Sequence, residues 1–176
     1  MDTVLVNKDF YVKIETEVFD DASGFSGYYV NEKTDVQIPM PNSFEEIIDD
    51  SIPSPAHQAT VDITTSPLPS PAVISAGERE IPVSSNTLQK GEIFDDGSGN
   101  KYRIKESLPS YIRIIGTLIA DINNGTILTQ VGNTGIYKSK LNILIPGTYI
   151  CVVQNLQHLI SRSHSITVIT LKKGFV

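Results

Sequence analysis

Residues 145–154 read IPGTYICVVQ, and this stretch indicates the fold of the second half of the chain. A Pro146-Gly147 turn precedes Tyr149 and Cys151, and an apolar run follows, which is typical of a turn that leads into a buried strand. The apolar stretch IYKSKLNILI comes before it and SITVITLKK after it. We therefore expect three consecutive strands here.

The composition favours a mainly β protein. The chain has 176 residues, of which 40% are hydrophobic and 19% charged, so it can bury a core. Trp is absent, whereas Ile, Val, Thr and Ser are plentiful, which favours strands over helices. The single Cys excludes an intramolecular disulfide and therefore the class of disulfide-stapled secreted domains.

The first 50 residues predict a small acidic β-rich module. Apolar and charged residues alternate in FYVKIETEVF, which predicts a half-buried strand over 10–19. Residues 28–30 and 36–40 predict a hairpin. Ser43 and Glu46 have the spacing of a capping box, which predicts a short helix from 44 to 50.

A Pro-rich stretch follows and predicts a linker or arm over residues 51–74. Because Pro lacks an amide donor, we expect the stretch to be extended and not to form a central strand. It serves either as a stiff spacer or as a strap on another subunit. Its prolines are Pro53, Pro55, Pro67, Pro69 and Pro71.

Residues 75–176 predict a β-sandwich. Turn signals separate about seven short strands within about a hundred residues. Asp-Gly-Ser-Gly-Asn at 96–100 predicts one hairpin loop, and Asn-Asn-Gly at 123–125 predicts another.

The Pro-Gly-Thr-Tyr corner resembles the E–F corner of immunoglobulin-like domains, in the unbridged form found in tailed-phage virion and bacterial surface proteins. The resemblance implies an immunoglobulin-like sandwich over residues 75–176. It also implies that the Tyr149 hydroxyl bonds to backbone near the corner and that Cys151 is a small core residue. The chain departs from the family pattern because it has neither a partner Cys nor a Trp.

Charge is distributed unevenly along the sequence. Residues 1–88 carry a net charge of −11 and residues 89–176 carry +5. Either the halves face each other within one molecule, or one half binds a neighbour of opposite sign. The Lys and Arg residues are scattered, so nucleic acid is not an expected partner. With no signal peptide and no apolar run of about 18 residues, we expect synthesis in the host cytoplasm and no membrane partner.

Two groups of residues invite a metal interpretation. Ca²⁺ ligands would come from Asp95, Asp96, Ser98 and Asn100, but a tight hairpin also requires this sequence. The set Asp121, Asn123 and Asn124 has the same alternative explanation. His158 and His164 lack a third zinc ligand unless symmetry between subunits supplies one. We therefore expect no metal and no cofactor.

Catalysis has no positive support in the sequence. There is no G-x-S-x-G elbow and no phosphate-binding glycine loop. The carboxylate pairs Glu45-Glu46 and Asp49-Asp50 are better explained as a solvated face. We expect a protein that is not an enzyme.

The leading hypothesis is a structural or attachment protein of a multi-subunit assembly, most directly a tailed-bacteriophage virion component of the tail, baseplate, collar or capsid. Its expected partners are other virion proteins or further copies of the chain. Lys138 and Lys140 are the candidate contact residues. A carbohydrate- or receptor-binding module is the alternative, with Phe25, Tyr28 and Tyr29 as an aromatic platform. A small hydrolase is the third.

Overall fold

The computed structural model describes residues 2–17, 19, 24–65 and 73–170 of the chain. These residues are mainly β and include no α-helix, and therefore no helix that could span a membrane. They divide into two compact units. The first unit comprises the described residues of Met1–Ile47 and Gly135–Val176, and the second comprises those of Ile48–Thr134. The second unit is therefore an insertion within the sequence of the first.

The strands of the first unit form two sheets. Among the described residues one sheet has the order β1-β16-β15-β3-β4 and the other has the order β2-β14-β5. The strands are β1 Asp2–Leu5, β2 Asp9–Glu15, β3 Phe25–Asn31, β4 Gln37–Pro39, β5 Glu45–Ile48, β14 Asn133–Asn142, β15 Gly147–Asn155 and β16 Ile160–Ile169.

Pairing between distant parts of the sequence holds the first unit together. Strand β2 pairs antiparallel with β14 from Asp9↔Asn142 to Glu15↔Ile136, and β15 pairs antiparallel with both β3 and β16. Phe25 stacks on the fully buried Tyr137, with 4.2 Å between ring centroids. The core contains side chains from both sheets, including Val12, Ile14, Leu141, Cys151, Val153, Ile166 and Val168.

The second unit is built on a closed barrel. Within the described part of the chain its strands follow the order β10-β11-β8-β6-β13-β9, and β9 pairs back to β10. Strands β7 and β12 pair with each other and form a separate two-stranded sheet. The strands are β6 Gln58–Val61, β7 Val73–Ile74, β8 Glu80–Ser84, β9 Ile93–Asp95, β10 Lys101–Leu108, β11 Tyr111–Ile114, β12 Ile122–Asn123 and β13 Ile127–Val131. The barrel has its own core, which includes Val61, Ile81, Phe94, Ile104, Ile112 and Leu128.

Local sequence signals predicted several elements correctly. The predicted strand over 10–19 is observed as β2, although Val18 lies outside the described residues. The β3–β4 hairpin is confirmed, as are the β9–β10 hairpin around 96–100 and the three consecutive strands β14, β15 and β16. In contrast, Asn123 pairs with Val73 of β7, so β12 and β13 do not form the predicted hairpin.

The predicted helix from 44 to 50 is wrong, because residues 45–48 form strand β5. Phe44 is buried in the core of the first unit. The Glu46 carboxylate accepts a hydrogen bond from the Gly135 amide at 2.8 Å, instead of capping a helix of its own. A long-range partner therefore overrides the local capping signal.

The predicted linker is wrong for residues 58–61, which form strand β6 between β8 and β13 of the barrel. The physical reason is local composition, since no proline occurs between Pro55 and Pro67 and the backbone there can donate to both neighbours. Pro67, Pro69 and Pro71 lie outside the described residues. The two units also differ from the predicted division into 1–50, 51–74 and 75–176, because β2 and β3 pair with β14 and β15.

Because the two units have separate cores, we expect residues 48–134 expressed alone to unfold in one cooperative thermal transition. Residues 75–176 should show none, because that fragment lacks β6 of the barrel and lacks β2 and β3 of the first unit. Circular dichroism melts of both fragments would check this. A cooperative melt of 75–176 would contradict the division.

The corner before β15 gives a second prediction. The Tyr149 hydroxyl donates to the carbonyl of Ile145 at 2.9 Å, the kind of bond that the corner resemblance implies, and Tyr149 is buried. Tyr149→Phe should therefore lower the free energy of unfolding by about 1 kcal/mol. Tyr28→Phe is the control, since Tyr28 is half-buried and its hydroxyl has no hydrogen-bond partner among the described residues. Equal stability losses would disprove the corner bond.

Candidate interaction site on the β15–β16 hairpin

The three aromatic residues predicted as a platform do not share a surface. Phe25 is only 6% exposed and belongs to the core of the first unit. Tyr29 packs edge-on against Tyr149, with 5.8 Å between ring centroids. Successive side chains of a strand point to opposite faces, so Tyr28 faces away from the other two. These rings therefore do not form one exposed platform.

The two predicted contact lysines form ion pairs within the first unit. Lys138 Nζ lies 3.2 Å from a carboxylate oxygen of Glu45 and 5.2 Å from the ring centre of Tyr11. Lys140 Nζ lies 2.6 Å from a carboxylate oxygen of Asp9. This bond lowers the pKa of Asp9, and the Asp9 carboxylate in turn raises the pKa of Lys140. Both lysines therefore have acidic partners before any other subunit binds.

The charge imbalance between the halves of the sequence is compensated within the first unit. Residues 135–176 contribute five basic residues and no acidic one, whereas residues 1–47 contribute ten acidic and three basic residues. The first unit thus has a net charge of −2, and residues 48–134 have −4. The imbalance accordingly does not require a partner of opposite sign.

The acidic loop at 95–100 uses its carboxylates to hold a turn. Asp95 accepts hydrogen bonds from the amides of Gly97 and Gly99, at 2.7 and 3.4 Å. The buried Asp96 accepts from the amides of Ser98 and Asn100 and from the Asn100 side chain. These bonds favour the turn interpretation over a calcium loop.

The histidines lie in three separate settings. His164 Nε2 is 2.8 Å from Asp2, and the His158 amide donates to the Asn155 side chain at 3.2 Å. His57 Nδ1 lies 2.7 Å from Glu92, a pair that the sequence did not indicate. In the ranges that the structure describes, no three His, Cys, Asp or Glu side chains are grouped to hold a metal ion.

Strand β16 has an edge that is only partly covered. Strand β1 pairs in parallel with Ile166–Ile169, so residues 160–165 have no strand partner on that side among the described residues. The Ile169 carbonyl accepts from the Val6 amide on the β1 side. Because backbone groups alternate in direction along a strand, those of Ser161 and Ser163 face this open edge.

A groove runs beside this open edge. Arg162 and His164 are opposite Val153 and Cys151 in the β15–β16 register, so they lie on the inner face of the sheet. They are nevertheless exposed, whereas Val153 and Cys151 are buried. Two adjoining cavities of about 300 and 290 Å³ share Lys13 of β2 as well as His164.

Burial also decides the chemistry of the thiol that borders the groove. Desolvation raises the pKa of Cys151 to about 11, so the thiol stays protonated at neutral pH. A protonated thiol is a poor nucleophile and a poor metal ligand. Cys151 therefore acts as a small core residue.

The tip of the β15–β16 hairpin presents two leucines to solvent. Leu156 is 72% exposed and Leu159 is 92% exposed. Leu159 has a φ of 53°, in the left-handed region that costs a non-glycine residue about 1 kcal/mol. The buried Asn155 side chain accepts from the amides of Gln157 and His158 and so orders the turn.

This hairpin end, residues 155–165, is the candidate interaction site, and the sequence carries one signal of it. Ile166 and Val168 follow the apolar alternation of a covered strand, but His164 and Arg162 occupy the same face two and four residues before Ile166. Polar or charged residues at inward-facing positions are typical of edge strands, where they limit unspecific pairing with other strands.

The ion pairs give a test of the lysines. Lys140→Glu should lower the melting temperature of the first unit by a few degrees at most, because it places two carboxylates together. Asp9→Lys combined with Lys140→Glu should restore it by re-forming the pair. The pair lowers the pKa of Asp9, so its contribution to the stability of the folded state is present above pH 3.8, the ordinary pKa, and is lost as the pH falls through the lowered pKa.

If Lys140→Glu changed assembly but left the melting temperature unchanged, Lys140 would have an intermolecular role instead.

No family model matches the chain, and no curated protein and no solved structure gives a significant match. Its function must therefore be inferred from its own residues.

Proposed function

We propose that this protein is a structural or attachment component of a multi-subunit assembly, and that the assembly is a tailed-bacteriophage virion. The hairpin end at residues 155–165 is the proposed contact. The single observation that carries the proposal is the six-residue edge of β16 that no described strand covers, which lies next to two exposed leucines.

An open edge is a template for another strand. Its unpaired amides and carbonyls can bond to an extended segment, and neighbouring side chains then add specificity. Large exposed apolar side chains at the same place are typical of interaction sites. Leu159 and Leu156 would anchor the partner while the backbone of Ser163 pairs with it.

Charge favours an acidic extended segment of another subunit as the occupant. Lys13 and Arg162 border the groove together with the carboxylates of Glu15 and Asp2. Asp2 pairs with His164, and within the described residues neither Lys13 nor Arg162 contacts a carboxylate. These two cations are therefore available to carboxylates on the incoming strand.

The edge has features that limit uncontrolled pairing before assembly. The Arg162 guanidinium donates to the Ser161 carbonyl at 3.0 Å, so this acceptor is already satisfied. Strand β1 covers the remainder of β16. A partner must therefore displace the Arg162 side chain to pair fully, which favours a specific segment over random strands.

An immunoglobulin-like fold, which the resemblance implied for residues 75–176, is now proposed for the first unit instead, because residues 75–134 belong to the second unit. The Tyr149 corner and the two sheets of the first unit support it, as does the buried, unbridged Cys151. Unbridged modules of this kind are found on phage virions, and a chain without disulfides can be made in the host cytoplasm before it is incorporated.

The alternatives have less support. Carbohydrate binding was expected to use an aromatic platform, but Phe25 is buried. A hydrolase would need a nucleophile beside a histidine. His57 is paired with Glu92, yet no described hydroxyl or thiol hydrogen-bonds to its other ring nitrogen.

The open edge can be tested with two substitutions at one position. Ser163→Pro removes an amide that faces away from β15, so the β15–β16 pairing should survive while strand addition is blocked. Ser163→Ala keeps the amide and is the matched control. Quantitative mass spectrometry of purified virions from the source should find the Ala variant at normal stoichiometry and the Pro variant depleted about tenfold or more.

A photo-cross-linking residue at Leu159 should further capture one defined virion protein, whereas the same residue at the exposed Lys33 should not. Incorporation of Ser163→Pro at the wild-type level would refute strand addition at this edge. Absence of the wild-type chain from virions would refute the proposed assembly itself.

A further inference from the structure

The barrel carries a cationic pocket that the proposed assembly function does not use. Arg79, Lys105 and Arg113 line it together with Ile114, Ile115 and Gly116, and its volume is about 380 Å³. The residues come from three neighbouring segments, namely the one that precedes β8, strand β10 and strand β11. Pockets of this size fit small ligands.

Register explains how Arg113 is fixed at the pocket. It lies directly between Glu80 of β8 and Glu106 of β10 in adjacent strands. Its guanidinium donates to Glu80 and, at 2.9 Å, to Glu106. The Tyr111 ring centre lies 5.7 Å from the guanidinium carbon. Arg113 is therefore held in one orientation, which lowers the entropic cost of binding a ligand.

A β-bulge places Lys105 beside it. The β10–β11 register shifts between Ile104 and Glu106, so Lys105 is the extra residue. Ile104 is buried, whereas Lys105 is exposed and Glu106 is half-buried. Bulges re-aim side chains in this way and are frequent next to functional sites.

Two of the three cations are available to a ligand. Among the described residues neither Arg79 nor Lys105 contacts a carboxylate, while both neighbouring glutamates are bound to Arg113. Two such cations match the two negative charges of a phosphate monoester. The planar guanidinium of Arg can donate two parallel hydrogen bonds to phosphate oxygens. The exposed Ile115 adds an apolar wall for the carbon skeleton that bears the phosphate.

The charge of the whole unit argues against a polymeric ligand. Residues 48–134 have a net charge of −4, so the unit as a whole repels a nucleic-acid backbone. We propose that the pocket formed by Arg79, Lys105 and Arg113 binds the phosphate monoester group of a small molecule or sugar.

Amide NMR titration of the full chain tests the proposal with glucose 6-phosphate, inorganic phosphate, glucose and a single-stranded oligonucleotide. Glucose 6-phosphate should shift the amides of Ile115 and Gly116 at roughly millimolar concentrations and bind more tightly than inorganic phosphate. Glucose should have no effect. Inorganic phosphate that binds as tightly as the sugar phosphate would overturn the role of Ile115.

Variants locate the site. Arg79→Ala combined with Lys105→Ala should weaken binding about tenfold or more, while Lys101→Ala, at the first residue of β10 and outside the pocket lining, should leave it unchanged. Circular dichroism melts confirm that the variants are folded. Shifts spread over many lysines, binding that survives the double substitution, or tighter binding of the oligonucleotide would each overturn the proposal. None of these results depends on Ser163, so this test is separate from that of the assembly function.

Discussion

The close approach of two backbone segments at Asp49 and Gly132 is the constraint on which this structure depends. The Asp49 amide donates to the Gly132 carbonyl at 2.7 Å. A Cβ on residue 132 would lie 2.5 Å from the Asp49 carbonyl oxygen, a distance that real Cβ atoms do not adopt, so the position requires glycine. Immediately next to these two residues in the sequence, β5 ends and β14 begins, and the two strands are neighbours in one sheet. The chain can therefore leave the first unit, form the barrel and return beside the point at which it left.

Insertion of the barrel determines which residues share a core and which charges meet. Strands β14, β15 and β16 each have a partner within the first 47 residues, so the cationic segment lies beside the acidic one. The ion pairs Asp9–Lys140 and Glu45–Lys138 form between these two segments. In the same topology β1 is shorter than β16, so no described strand covers residues 160–165 on the edge that faces away from β15. The open edge is thus a by-product of strand length within the first unit.

Local patterns in the sequence predicted strands well, and partners across the insertion poorly. Alternation identified β2, and turn chemistry identified the hairpins at 31–36 and 96–100, because these depend on neighbouring residues. The pairing of β2 with β14 joins residues more than 120 positions apart, and the sequence of neither segment indicates which strand it pairs with. Residues 44–50 are an example: the capping-box spacing predicts a helix there, but Glu46 lies in β5 and its carboxylate accepts from the amide of the distant Gly135. The candidate site was missed for a related reason: Arg162 and His164 become informative only when Val153 and Cys151 are known to lie opposite them.

The parallel pairing of β1 with β16 has a mechanical consequence. Tension that pulls β1 from its N-terminal side and β16 from its C-terminal side acts along the strands in opposite directions. The backbone bonds of the four paired residues, from Asp2↔Ile166 to Leu5↔Ile169, then resist shear together instead of opening one at a time. All residues between these two strands, including the barrel, lie outside the load path until that ladder fails. Under tension in this direction, both cores would stay folded until the four paired residues of β1 and β16 separated.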